Sequence, residues 1–198
     1  MNFAQQSYFS TGLEAGPSLI CLKEKYHGYF SNTGYGFSAS IFFQFNAKRI
    51  FSLKIASGFE RKGAYQIDHS NFHYNLNYFV ITLLLKAEYG SKVKGFICAG
   101  PFGGYLLTAY YTADYLDEPV DYMKYFKKID AGISAGLGIT IPVKKKFCLS
   151  IECRNNFGLV QIIIPEEEES SGWNWKTFST NLIFSFSYNF QERKRKSD

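Results

Sequence analysis

The chain has 198 residues, enough for one domain, with 46% hydrophobic and 19% aromatic residues and a formal net charge of +5. Its mean hydropathy is only −0.16, so apolar residues must be interleaved with polar ones. The longest apolar block, residues 79–85, is broken by Thr82 and stopped by Lys86, far short of the ~20 residues a membrane helix needs. Four cysteines (Cys21, Cys98, Cys148, Cys153) without CxxC spacing give neither a disulfide framework nor a metal site, and no pattern points to a cofactor or to nucleic acid.

The first residues lack the apolar core of an export signal, yet Phe3-Ala4-Gln5-Gln6 resembles the junction between such a signal and a mature chain. Residues 1–7 are therefore expected to be a residual N-terminal arm. Alternation and aromatic or β-branched enrichment then predict eight strands, at 8–19, 34–45, 51–63, 77–89, 95–109, 128–142, 147–163 and 176–190. Most are longer than the usual 5–6 residues of a globular strand and match the ~9–11 residues a tilted strand needs to cross hydrocarbon. Between them, the tight connections 46–50, 90–94 and 143–146 alternate with the long ones 20–33, 64–76, 110–127 and 164–175. Short periplasmic turns and long outer loops are the pattern of an up-and-down membrane barrel. The tail after the last strand, residues 191–198, reads as a basic periplasmic extension.

Parity assigns faces, because successive side chains of a strand point to opposite sides. In the second strand Phe37, Ala39, Ile41, Phe43 and Phe45 fall on one side, with Ser38, Ser40, Phe42 and Gln44 on the other. The sixth strand sets Ile129, Ile133, Leu137, Ile139 and Ile141 against Asp130, Gly132, Ser134, Gly136, Gly138 and Thr140. The last sets Phe178, Leu182, Phe184, Phe186, Tyr188 and Phe190 against small polar residues, with Ile183 out of step. The greasy faces should meet lipid and the polar ones fill the interior. That interior receives Glu14, Lys54, Glu60, Lys62, Lys86, Asp130, Glu152 and Arg154, of both signs, and buried charges of both signs should pair, since a lone one is costly. The expected fold is thus all-β: an eight-stranded antiparallel up-and-down transmembrane β-barrel with a filled polar interior, spanning residues 8–190, in the outer membrane.

Aromatic residues flank each tight turn (Phe45, Phe51, Tyr89, Phe96, Phe147, Phe190), and Tyr110, Tyr111, Tyr115, Trp173 and Trp175 mark the other rim, as interfacial girdles should. Lys48, Arg49, Lys92, Lys94, Lys144, Lys145, Lys146 and the tail from Arg193 to Lys196 make the tight-turn end basic, whereas Asp114, Asp117, Glu118, Asp121 and Glu166 to Glu169 lie in long loops.

These residues carry a resemblance. Gly12-Leu13-Glu14-Ala15-Gly16, Gly36-Phe37-Ser38-Ala39, the stretch 53–62, the stretch 77–86 and Ala99-Gly100-Pro101-Phe102-Gly103-Gly104-Tyr105-Leu106-Leu107 are similar to the PorT-like outer-membrane β-barrel domain family of Bacteroidota. The resemblance spans nearly the whole chain. It implies a barrel associated with secretion or surface-export machinery, and specifies architecture rather than chemistry. The charged tail after Phe190 and Cys98, where the family often has an acidic residue, depart from it.

Other candidate chemistry is thin. His27, His69 and His73 fall in long loops, and Asp68-His69-Ser70 holds acid, base and nucleophile types, but neighbours in a loop rarely converge on one atom and no GxSxG motif accompanies them. Glu166 to Glu169 could attract cations, though a solvated acidic loop accounts for them. Gly100, Gly103 and Gly104 have no helix behind them to form a phosphate loop, and suit a strand bend or close packing. The expected role is a non-enzymatic accessory or scaffold, with outer-membrane lipid and a larger membrane complex as partners. Alternatives are a lipid-modifying enzyme at the outer rim and a soluble lipocalin-type barrel, in which the apolar side chains would face inward around a cavity.

Overall fold

A computed structural model describes residues 8–24, 33–47, 50–66, 72–116, 118–144, 146–164 and 175–190. The strands are β1 (Tyr8–Glu24), β2 (Gly34–Asn46), β3 (Phe51–Gln66), β4 (Phe72–Gly90), β5 (Lys94–Ala113), the two-residue β6 (Val120–Asp121), β7 (Ile129–Pro142), β8 (Phe147–Gly158) and β9 (Trp175–Asn189). A single 3-10 turn, Met123–Tyr125, follows β6. The order β4-β3-β2-β1-β9-β8-β7-β5 is closed by β4 pairing with β5, and β6 is appended to β5. Eight antiparallel strands therefore make a closed barrel.

The stagger follows from the register. Phe79 pairs with Phe59, Phe59 with Ala39, Ala39 with Ala15, Ala15 with Phe184, Phe184 with Ile151, Ile151 with Ile139, Ile139 with Gly95, and Gly95 with Tyr89. One circuit starts at Phe79 and returns to the same strand ten residues along, at Tyr89, a tilt of about 40° for eight strands. Three of the connections are as short as the sequence predicts. At Gly90, φ is +127°, in the left-handed region that glycine enters without a Cβ clash.

The lipid face is as parity predicts. Phe43, Leu53, Ile133 and Phe184, on four different strands, are 57%, 46%, 49% and 51% exposed, while their neighbours Gln44, Lys54, Ser134 and Ser185 are buried. The lipocalin-type alternative requires the reverse and is overturned. β7 carries inward glycines for a steric reason: a Cβ on Gly132 would lie 2.7 Å from the Phe102 ring, and one on Gly138 would lie 2.6 Å from Phe96. The glycines let β5 send large rings across the lumen beside β7.

Several predicted boundaries move. The strand expected at 147–163 ends at Gly158; beyond it Ile162 turns inward and is fully buried, bonded through its amide to the Trp175 carbonyl and through its own carbonyl to the Lys127 amide. The connections expected to be long at 64–76 and 110–127 are partly strand, since β3, β4 and β5 reach Gln66, Phe72 and Ala113. These extensions alternate with inverted sense. Outward of Phe59 and Phe79 the outer face turns polar at Arg61 and Asn77, while the inner face turns apolar with Ala64, Leu76, Leu106 and Ala109. Leu22, Phe126 and Ile162 complete this apolar plug. An irregularity in the β4–β5 pairing at Asn77/Tyr78 shifts the parity of β5 there. The plug caps the polar interior on the long-loop side.

Candidate functional site

The interior is layered along the barrel axis. The central layer joins three strands: Lys54 of β3 pairs with Glu14 of β1, and lies 3.6 Å from Glu152 of β8. Arg154, two residues along β8 and so on the same inner face, donates from Nε to Glu152 Oε1 at 2.6 Å and from a terminal nitrogen to Glu14 Oε1 at 3.2 Å. Two cations and two anions alternate, so each buried charge has opposite charge on two sides, the condition under which burial is tolerable. The Cys98 thiol donates to Glu152 at 3.3 Å; an acid in its place would press a further negative charge on Glu152.

Toward the long loops, Lys62 lies 2.9 Å from Asp130 and 4.0 Å from Glu60. Glu60 is held by neutral donors: Asn156 Nδ2 at 3.0 Å, Ser179 Oγ at 2.6 Å and Asn181 Nδ2 at 3.3 Å. Lys62 also sits 4.1 Å from the centre of the Phe102 ring, where the plug begins. Toward the tight turns, Lys86 lies 2.7 Å and Lys94 3.1 Å from Glu88, with Lys86 packed 3.7 Å from the Phe96 ring centre. All eight residues singled out from the sequence are buried in this interior and ion-paired. Sequence reasoning missed Glu88 as the partner of Lys86, Lys94 as a second cation on Glu88, and Asn156, Ser179 and Asn181 as donors to Glu60. Glu88 was within reach, since it shares the parity of Lys86 on β4.

Among the described residues, polar side chains line two cavities of about 30 Å³ each between the layers. One is lined by Ser10, Gln44, Lys54, Glu88 and Ser150, among others, the other by Glu14, Ser40, Glu60, Arg154 and Asn156, among others. Each has room for a few water molecules at most. Neither could pass a solute.

Of the loop candidates, His73 alone lies among the described residues. His73 is exposed with its ring 4.1 Å from that of Tyr65; His27, Asp68, His69, Ser70 and Glu166 to Glu169 lie outside the described residues, as do the arm 1–7 and the tail 191–198. Among the described residues no group of three or more His, Cys, Asp or Glu side chains is placed to hold a metal ion. Cys21, Cys98 and Cys148 are buried free thiols, and Cys153 is exposed on the lipid face.

Solved barrels share this architecture. The chain superposes on a major outer membrane protein from Thermus thermophilus with a TM-score of 0.55 at 14% identity, covering 93% of this chain and 99% of the other. It superposes on Neisserial surface protein A with a TM-score of 0.54, also at 14% identity, covering 94% of this chain and all of that one. At such identity the likeness is one of fold. No curated protein sequence matches the chain. The family model described as "Outer membrane protein beta-barrel domain" matches residues 3–163, which takes in all eight charged interior positions and most of the lipid-facing band. The chain belongs to that family, and its place is the bacterial outer membrane.

Proposed function

We propose that this barrel is a non-enzymatic accessory or scaffold protein of the outer membrane, a PorT-like member of the Bacteroidota type that works within a secretion or surface-export assembly. One observation carries the reading: the interior is filled twice over, by ion-paired side chains at membrane level and by the apolar plug above them. With its interior filled, and with no converging group of His, Cys, Asp or Glu side chains among the described residues, the barrel acts through its two rims and its lipid face. The interior charges then serve shape, holding eight strands in one stagger so that the rims keep a fixed outline. The sequence stretch 99–107, which most resembles the PorT-like family, forms the part of β5 that sends Phe102 into the lumen, so the resemblance too concerns architecture.

Affinity isolation from native outer membranes in mild detergent tests the role. The expected result is co-migration with a larger membrane complex on a native gel. A lone monomer under conditions that preserve other outer-membrane complexes refutes it, and so does a steady single-channel conductance of the pure protein in planar bilayers.

A further inference from the structure

Lys23 of β1 and Lys176 of β9 are register partners on adjacent strands. Parity places both on the outer face: Lys23 is exposed and follows buried Leu22, and Lys176 precedes buried Thr177. Like charges directly opposite one another across a ladder destabilise a sheet, and among the described residues neither lysine has a carboxylate within ion-pairing distance. What would reverse the sign of that contact is an anion between them.

Their height says which anion. On β1 the last exposed apolar outward residue is Leu19, and on β9 Phe178 is the last outward ring before Lys176. On β3 and β4 the same transition occurs as Phe59 gives way to Arg61 and Phe79 to Asn77. Arg61 stays on that outer surface, 5.4 Å from the Phe37 ring centre, and donates to Asn77 Oδ1 at 3.1 Å. The cations therefore sit just past the edge of the hydrocarbon band, on the long-loop side, at the depth of the outer-leaflet headgroups. A lysine there can lay its methylene stem along the apolar edge and hold its ammonium among phosphates.

We propose that Lys23 and Lys176 form a binding site for the phosphate group of an outer-leaflet lipid of the lipid A type. This goes beyond the scaffold reading and does not depend on it, since it concerns the lipid that the barrel retains rather than the protein it joins.

The test uses the full chain folded in detergent, titrated with bis-phosphorylated lipid A and read by native mass spectrometry as lipid retained per barrel. Replacing both lysines (Lys23→Gln with Lys176→Gln) should weaken retention about thirtyfold, taking for each lysine the contribution usual for a basic residue at an anionic surface. The pair Lys92→Gln with Lys144→Gln, at the opposite rim, should leave it unchanged. Lipid A stripped of its phosphates should bind the wild type as weakly as bis-phosphorylated lipid A binds the double variant. Equal retention by the wild type and the lysine-pair variant, with both migrating as folded barrels in unheated gels, overturns the proposal. Displacement of the lipid by millimolar inorganic phosphate also overturns it, by showing a site for a free anion.

Discussion

Replacing Arg154 by Met keeps most of the side-chain volume and removes the only guanidinium of the central layer. Arg154 donates to both Glu152 and Glu14, so the variant leaves two buried carboxylates facing Lys54 alone. Taking one partner from a buried pair costs about 3–5 kcal/mol, because the charge left behind cannot be solvated. With a urea slope of about 2 kcal/mol per molar for a chain of this size, the unfolding midpoint in lipid vesicles should fall by about 1.5–2.5 M. A second change separates lost charge balance from lost packing: adding Glu152→Gln restores one anion to one cation, and most of the midpoint should return. Tryptophan fluorescence during urea unfolding gives both numbers. If Arg154→Met shifts the midpoint by less than about 0.5 M, or the added Glu152→Gln lowers it further, the charges are not coupled in the way the geometry implies.

The same reasoning reaches other sites. Ile55→Arg, at mid-height on the lipid face, should cost about 2–4 kcal/mol in the same assay, whereas His73→Arg, past the polar turn of β4, should cost almost nothing. Gly138→Val should abolish heat-modifiable migration, since its Cβ would lie 2.6 Å from the Phe96 ring and 2.3 Å from the Ile151 carbonyl oxygen; Gly103→Ala, with no heavy atom within 4 Å of the added Cβ, should fold normally. Phe126→Ala, which hollows the plug, should cost about 3–5 kcal/mol and speed cleavage of the 114–127 segment by added protease, with the membrane-level strands still protected.

The barrel was legible because its signal is local. Parity within each strand separates Phe43 from Gln44 and Ile133 from Ser134, and needs no knowledge of which strands are neighbours. The charged interior set was legible for the same reason. What escaped needs longer-range information. Ile162 shares the inward parity of Glu152 and Arg154, but Gly158 ends β8 before it and the chain folds over the lumen, so its burial comes from that fold and not from the strand expected to 163. Leu76 and Leu106 are apolar like the lipid-facing residues yet point inward, because above Phe79 the solvent lies outside the barrel and the dry space within. The alternation persists while its meaning changes sign, and only the hydrocarbon edge, a property of the bilayer, says where.

The interior ion pairs do something the ladder cannot. Backbone hydrogen bonds join only neighbouring strands, and a slip of two residues would restore them with every side chain still on its proper face. Glu14 to Lys54 links β1 to β3, Arg154 to Glu14 links β8 to β1 across β9, and Lys62 to Asp130 links β3 to β7 across the lumen. None of these pairs survives a slip of the strands between them, because the partners would move apart along the axis by about 7 Å for two residues and leave charges buried alone. The cost of a stranded charge then falls on each wrong stagger and not on the right one. An apolar filling of equal volume would penalise such slips far less, which gives the charged interior a structural reason to exist.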